Sequence, residues 1–491
     1  MRHEPWGAGS ARMTRLALAA MLAIVAVAGP AGAALPPQVA RAFRDAGVPL
    51  NAVGIFVQEV GNPRPLFMQQ PDQPLNPASV MKLVTTFAAL ELLGPDYRWK
   101  TRAYLGGPLT DGVLRGNLIL RGGGDPKITI EQWQAFMATL RARGLAAVEG
   151  DLVLDRTFFA PVAHEPAAFD GEPLKPYNVG PDALLVNFKA VKFTFAPPVT
   201  GDTAAIRMEP ALPRVAIAAL PTVATGDCGD WRAAIGASFV DLGTRADATF
   251  AGRYPAACGE REWWVSLLDS PTYVHGMFDT YFKAAGGRFA GAWKNGVAPA
   301  NAVPFATLES APLWEVVRDV NKLSNNVMAR QVFLTLATVG APPPASTAGA
   351  TEAVMRLLAR RRLRMPELVL DNGSGLSRRE RISARSLGRL LLTVDGSRIR
   401  EEFASSLAVA ALDGTLQRRF QNRSVAGQAL LKTGTLDGVR ALAGYVIDGD
   451  GRRFVVVAIV NHAAATRAQG ALDFLVQWVY NNGAAWTTLR H

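Results

Sequence analysis

Between Asn76-Pro77 and Gly94-Pro95 lies a stretch, Val80 to Leu93, that is apolar on nearly every helical face. Asn76 suits an N-cap, Pro77 suits the first helical position, and Gly94-Pro95 is a stop. The spacing predicts one helix running through Leu93. A helix with one polar side can lie on a surface, but a helix without one must be covered all round. The chain therefore has to build layers around this segment and place it in the centre of a domain.

Five segments can supply those layers as strands. Val53–Val60 alternates and is rich in valine, and Pro65–Gln70 follows it across Gly61-Asn62-Pro63 as a hairpin partner. Leu430–Gly434, Ala441–Ile447 and Phe454–Val460 form a second group, the last two joined by Asp448–Arg453. Helical patterns occur at Gln38–Ala46, Leu313–Lys322, Asn325–Ala337, Thr351–Arg360 and Ala468–Tyr480. The expected fold class is α/β (α+β), with one antiparallel five-stranded sheet. The first and last helices pack on one face and the buried helix on the other.

With 491 residues the chain is too long for one ordinary core. From about Trp99 to Val303 its character changes to short strands (Asn117–Arg121, Gly150–Leu154, Val191–Phe195) and many Gly and Pro turns. The expectation is a central domain of residues 34–98 and 306–491, interrupted by a β-rich insertion at 99–305. A second insertion is expected inside it, near 195–275.

Residues 1–33 read as a secretory signal peptide. Arg12 and Arg15 precede the apolar run Leu16–Ala28, Gly29-Pro30 breaks it, and Ala31-Gly32-Ala33 has the form of a cleavage site. Met13 would give the basic segment an ordinary length if it were the true start. The run is short for a spanning helix, which disfavours the alternative of an uncleaved anchor. No other segment is apolar for long enough to cross a membrane. In an oxidising compartment Cys228 and Cys258 can pair; two separate buried thiols are the alternative.

The formal charge is +11, and +9 once Arg2, Arg12, Arg15 and Glu4 are removed with the leader. That balance suits an acidic partner such as a carboxylate-rich wall polymer. There is no finger, basic helix or aromatic-basic stripe for nucleic acid. Only ten of the 52 basic residues are lysines. Arginine cannot give up its proton in a protein, so the lysines that remain are candidates for work arginine cannot do.

Three short motifs carry chemistry. In Ser79-Val80-Met81-Lys82 a spacing of three sets Ser79 and Lys82 side by side on one helical face. A serine hydroxyl is a poor nucleophile until a base takes its proton. Lysine can be that base if burial or a second cation destabilises its ammonium. Ser324-Asn325-Asn326 supplies a second hydroxyl for proton relay and an amide that both donates and accepts. Lys432-Thr433-Gly434, followed by Thr435, puts an ammonium and a hydroxyl on a strand where they can grip a carboxylate. Gly434 is expected to let a substrate approach that strand closely. Each motif alone is weak, and the ordered set is far less common by chance.

The set resembles that of the D-alanyl-D-alanine carboxypeptidase/endopeptidases, the class C low-molecular-mass penicillin-binding proteins. The resemblance extends to Gly122–Asp125-Pro126, Gly150–Val153, Asp371–Ser377 (DNGSGLS), Asp413–Leu416 and Leu442–Tyr445. Ser324 follows Ser79 by 245 residues, far more than in class A β-lactamases. It implies a penicillin-binding/serine β-lactamase-like transpeptidase domain and a periplasmic enzyme needing no cofactor and no metal. The implied substrates are peptidoglycan stem peptides, with β-lactam antibiotics as covalent inhibitors.

By that resemblance Ser79 is the nucleophile, Lys82 its base and Ser324 the proton relay. Asn326 binds the peptide amide, and Lys432 and Thr433 hold the terminal carboxylate. The N–H groups of Ser79 and Thr435 form the oxyanion hole. Asp155 and Arg378 are implied to shape a pocket for the stem-peptide side chain. The alternatives are a serine β-lactamase or esterase on the same fold, and a non-catalytic cell-wall-binding relative. Among the remaining features, Gly122–Gly124 reads as a turn because it lacks the ending of a phosphate loop. Ser374 reads as a loop residue, and no nucleophile elbow accompanies His462.

Overall fold

The computed structural model describes residues 34–488, so the expected leader lies outside the described residues. Helix α1 (Pro37–Asp45) leads into strands β1 (Val53–Glu59) and β2 (Phe67–Gln69), and helix α2 spans Lys82–Leu93. After the insertion come α3 (Leu313–Lys322), α4 (Asn326–Thr335), α5 (Thr347–Arg360) and α6 (Ala384–Asp395). Strands β3 (Ala408–Val409), β4 (Ala429–Leu436), β5 (Val439–Ile447) and β6 (Arg453–Asn461) follow, and α7 (Gln469–Thr488) ends the described chain.

The strands form one antiparallel sheet in the order β2-β1-β6-β5-β4-β3. The five expected strands are all present. The sixth, β3, has two residues, too few to show a period. Side chains alternate across the sheet, and both faces are buried. Val456, Ala458 and Val460 of β6 join Ile55, Val57 and residues of α1 and α7 in one core. Val455, Val457 and Ile459 join Phe56 and residues of α2–α6 in the other. Every residue of α2 from Lys82 to Leu90 is buried, as an all-round apolar helix requires.

The start of that helix differs from the expectation. Residues Ala78–Met81 form a tight 3-10 turn, and the α-helix begins only at Lys82. Ala78 sits at φ +48°, which no α-helix admits. Asn76 Oδ1 accepts the Ala78 N–H at 2.9 Å and so caps this turn instead of a first helical turn. Gly94, at φ +84°, ends the helix as expected.

In the insertion, five strands order as Trp293–Asn295, Leu152–Asp155, Asn117–Arg121, Lys100–Gly106 and Ala306–Glu309. The first three are parallel, which requires crossovers. Two helices overlooked in the sequence, Ile130–Ala142 and Ser270–Ala284, lie between those strands along the chain. Thr129 and Gln132 form a capping box on the first, and Asp269 caps the second. Ala306–Glu309 pairs with Lys100–Gly106, so the insertion's sheet extends to Glu309.

Most of the buried apolar residues between Ala103 and Ala306 form one cluster, while Tyr104, Ile119, Val153 and Ala298 form a smaller one. Cys228 and Cys258 are bonded within the larger cluster, across a separation of 30 residues. By loop-closure entropy a crosslink of that span stabilises by roughly 3–4 kcal/mol.

The insertion grips the helix that carries the second motif. Gln331 of α4 accepts the Asp182 N–H at 2.9 Å and donates to the Asp182 carbonyl at 2.7 Å. Trp99 Nε1 donates to Thr335 Oγ1 at 3.0 Å.

Candidate active site

Three parts of the chain meet beside the N-terminus of α2. The 3-10 turn carries Ser79, which is half-buried. One turn on, Lys82 is wholly buried, and its Nζ donates to Ser79 Oγ at 3.0 Å. The same amine donates to Asn326 Oδ1 at 2.6 Å and to the Ser374 carbonyl. The amine therefore has three oxygen partners, on three separate segments.

Ser324 lies in the loop between α3 and α4, at φ +57°. A non-glycine residue in that region is strained and persists only where its surroundings hold it. Asn325 caps α4 by accepting the Met328 N–H at 3.0 Å, which leaves Asn326 as the first helical residue. Lys432, wholly buried on β4, donates to Ser324 Oγ at 2.9 Å and to the Thr433 carbonyl at 2.7 Å. Thr433 donates to Thr415 Oγ1 at 2.8 Å, and Thr435 is exposed. Asp413, two residues before Thr415, pairs with Lys322 at the end of α3.

Close backbone approach holds these parts together. A Cβ at Gly434 would lie 2.5 Å from the Pro77 carbonyl and 3.1 Å from Ala78 Cβ. What approaches this glycine is the nucleophile's own turn, where the sequence reading expected a substrate. A Cβ at Gly375, at φ +80°, would lie 2.0 Å from the Ala78 carbonyl and 2.7 Å from Ser79 Cα. The DNGSGLS loop thus packs directly under the serine.

The two amines are electrostatically unequal. Burial pushes the Lys82 pKa well below the usual lysine range, and the charge of Lys432 lowers it further. Burial alone lowers Lys432, to about 7. Both amines are thus easier to deprotonate than an ordinary lysine, and Lys82 alone carries the added repulsion of a second ammonium. A neutral amine at 3.0 Å can accept the Ser79 proton, and a charged one beside an open strand can hold an anion.

The structure joins Ser79, Lys82 and Asn326 in one bonded group and Ser324, Lys432 and Thr433 in a second, near enough for the charge of Lys432 to act on Lys82, with Thr435 exposed on the same strand. Asp155 belongs to neither. That carboxylate is wholly buried, accepts from the Thr157 N–H and hydroxyl and the Ala298 N–H, and pairs with Arg121. Its acceptors are occupied in tying the insertion together, so the expected pocket role is withdrawn.

Arg378 does line a cavity of about 650 Å³ on the outer side of the DNGSGLS loop, with its guanidinium 4.7 Å from the Phe169 ring. His462 Nδ1 accepts the Ala464 N–H within its own turn. Ser374 is buried, and it is its carbonyl that faces Lys82. That carbonyl, Thr415 and Asp413 were missed as site residues. The glycines of DNGSGLS and the Asp413-Gly414-Thr415 segment are their sequence signal.

Comparison with known proteins bears on the family and the fold. A D-alanyl-D-alanine carboxypeptidase of Actinomadura sp. (strain R39) is 30% identical over 427 residues, 83% of this chain and 77% of the relative. D-alanyl-D-alanine carboxypeptidase DacB of Haemophilus influenzae is 24% identical over 78% of this chain and 80% of its own length. The crystal structure of penicillin binding protein 4 from H. influenzae superposes with a TM-score of 0.75 at 22% identity. The match covers 91% of this chain and 99% of that one, and shows the same fold. A family model matches from residue 35 to residue 481, leaving almost nothing of the described chain outside it, and the chain belongs to the D-Ala-D-Ala carboxypeptidase 3 (S13) family.

Proposed function

We propose that this serine-type D-Ala-D-Ala carboxypeptidase acts on peptidoglycan stem peptides through an acyl-enzyme on Ser79. Ser79 Oγ attacks the carbonyl of the penultimate D-alanine while its proton passes to Lys82 Nζ. The C–N bond then breaks, and a proton delivered through Ser324 leaves with the terminal D-alanine. Water adds to the ester and frees Ser79 and the shortened stem. Asn326 holds the substrate amide, Lys432 and Thr433 hold the terminal carboxylate, and the N–H groups of Ser79 and Thr435 receive the oxyanion. A β-lactam enters the same path and remains as the acyl group.

The observation that carries the reading is the 3.0 Å contact between Ser79 Oγ and a wholly buried lysine amine. The peptidase domain is read as residues 34–98 and 306–491, with its insertion at 99–305 drawing Ala306–Glu309 into its sheet. The leader at 1–33 is read as delivering the chain to the periplasm. Among the described residues no helix is long and apolar enough to cross a membrane.

The test is digestion of defined muropeptides by the purified protein, with products weighed by mass spectrometry. Pentapeptide stems should each lose one alanine. Unchanged pentapeptides would refute the assignment, and cross-linked dimers in the same assay read out endopeptidase action.

The amine pair also sets a pH dependence. Lys432 has to be protonated to hold a carboxylate, so kcat/KM should decline as pH rises through about 7. A bound carboxylate favours the ammonium and raises its pKa, so the alkaline limb of kcat should lie at higher pH. Coincident limbs for the two parameters would contradict the role given to Lys432.

A further inference from the structure

Glu380 is a wholly buried carboxylate that the mechanism does not use. Its Oε1 accepts three successive backbone N–H groups, of Asp371 at 3.3 Å, Asn372 at 3.1 Å and Gly373 at 2.9 Å. Its Oε2 has no hydrogen-bond partner among the described residues. An unpaired buried carboxylate oxygen is costly, so the arrangement needs a compensating gain.

The loop that Glu380 gathers is the one beneath the nucleophile. With the amides of 371–373 turned toward the carboxylate, the carbonyls that follow turn toward α2. The Gly373 carbonyl accepts from Thr85 Oγ1 at 2.6 Å, and the Ser374 carbonyl accepts from Lys82 Nζ. Asn372 Oδ1 locks the bend by accepting the Ser374 N–H at 2.9 Å and its hydroxyl at 2.6 Å.

The charges point the same way. Lys432 and Arg330 both disfavour the ammonium form of Lys82, and Glu380 is the anion that opposes them. Arg330 is buried and donates to the Val179 carbonyl at 2.8 Å. Burial raises the Glu380 pKa, and the three amide donors work against that rise; Asp371 is the anion facing Glu380, and Arg379 pairs with Asp371.

We propose that Glu380 is a positioning residue for the proton transfer: by gathering the 371–373 amides it aims the Ser374 carbonyl at Lys82, and its charge offsets the buried cations around that amine. This rests on the reading of Ser79 as nucleophile and Lys82 as base.

The test is the second-order rate of acylation by a chromogenic cephalosporin from pH 5 to 9, with melting temperatures measured alongside. Glu380→Gln should acylate about tenfold or more slowly, as a misaimed base does. Its acidic limb should also move to lower pH, because loss of the negative charge makes Lys82 easier to deprotonate. Glu380→Asp keeps the charge but not the reach, so its rate should fall with the limb in place. That variant decides the matter if the glutamine form does not fold. Wild-type rates in either variant, or a slower Glu380→Gln with an unmoved limb, would overturn the proposal. A wild-type protein that is not acylated at all would instead remove the reading of Ser79.

Discussion

Ser79→Ala is expected to lose all covalent labelling by a fluorescent penicillin and to release D-alanine at least ~10⁴-fold more slowly than the parent. Among the described residues no other hydroxyl is bonded to the Lys82 amine. Ser324 is engaged by Lys432 at 2.9 Å, and the Ser374 hydroxyl is turned to Asn372. Without an acyl-enzyme only binding and the oxyanion donors remain, and in serine hydrolases these supply a small residue of the rate. The fold should hardly notice. Ser79 is half-buried and its side chain accepts one hydrogen bond, from Lys82, so stability should change by about 1 kcal/mol or less. Labelling that survives in the folded variant would sink the assignment of the nucleophile.

Lys82→Met should lower the acylation rate by about 10³, the contribution expected of a positioned general base. It should also change how stability depends on pH. In the fold the Lys82 pKa is well below its ordinary value of 10.5, whereas in the unfolded chain it returns there. Between those two values the unfolded state binds the extra proton, so this group makes the fold more stable as pH rises. The slope is about 1.4 kcal/mol per pH unit, and it ends once pH exceeds the unfolded value. Methionine has no proton to exchange. The stability difference between parent and variant, followed by urea unfolding from pH 7 to 9, should therefore grow in favour of the parent. A constant difference would mean that the amine is charged in the fold and cannot be the base.

Much of this could be read from residues alone. Helix α3 falls at Leu313–Lys322 as its apolar spacing indicates, and the three long strands fall within two residues of the patterned segments. Period and punctuation are local properties, and these elements obey them. The two insertion helices were overlooked because the surrounding Gly and Pro turns dominated the reading, although Thr129-x-x-Gln132 is a legible capping box.

In the site, residue types pointed to the chemistry but not to the wiring. Nothing in the sequence says that one amine serves Ser79, Asn326 and the Ser374 carbonyl together. Asp155 looked like a pocket residue and is an internal tie. Glu380, set in the charged run Arg378-Arg379-Glu380-Arg381, is nevertheless wholly buried. Burial of a charge is a tertiary fact, and a run of arginines conceals it.

The pairing of Lys100–Gly106 with Ala306–Glu309 has a kinetic consequence. The central sheet joins Val53 to Val460, nearly opposite ends of the described chain, and contacts of that separation form slowly. Once the insertion has folded, its two ends leave as neighbouring strands, and the span still to be closed is roughly halved. Halving a loop recovers only about 0.6 kcal/mol of closure entropy, but it also removes two hundred residues of competing partners. In refolding followed by hydrogen exchange, amides of the insertion's ladder should therefore become protected before those between β1 and β6; the reverse order would refute this. Since Lys432 lies on the late-forming sheet, a chain still being made holds Ser79 and Lys82 without the charge that tunes them.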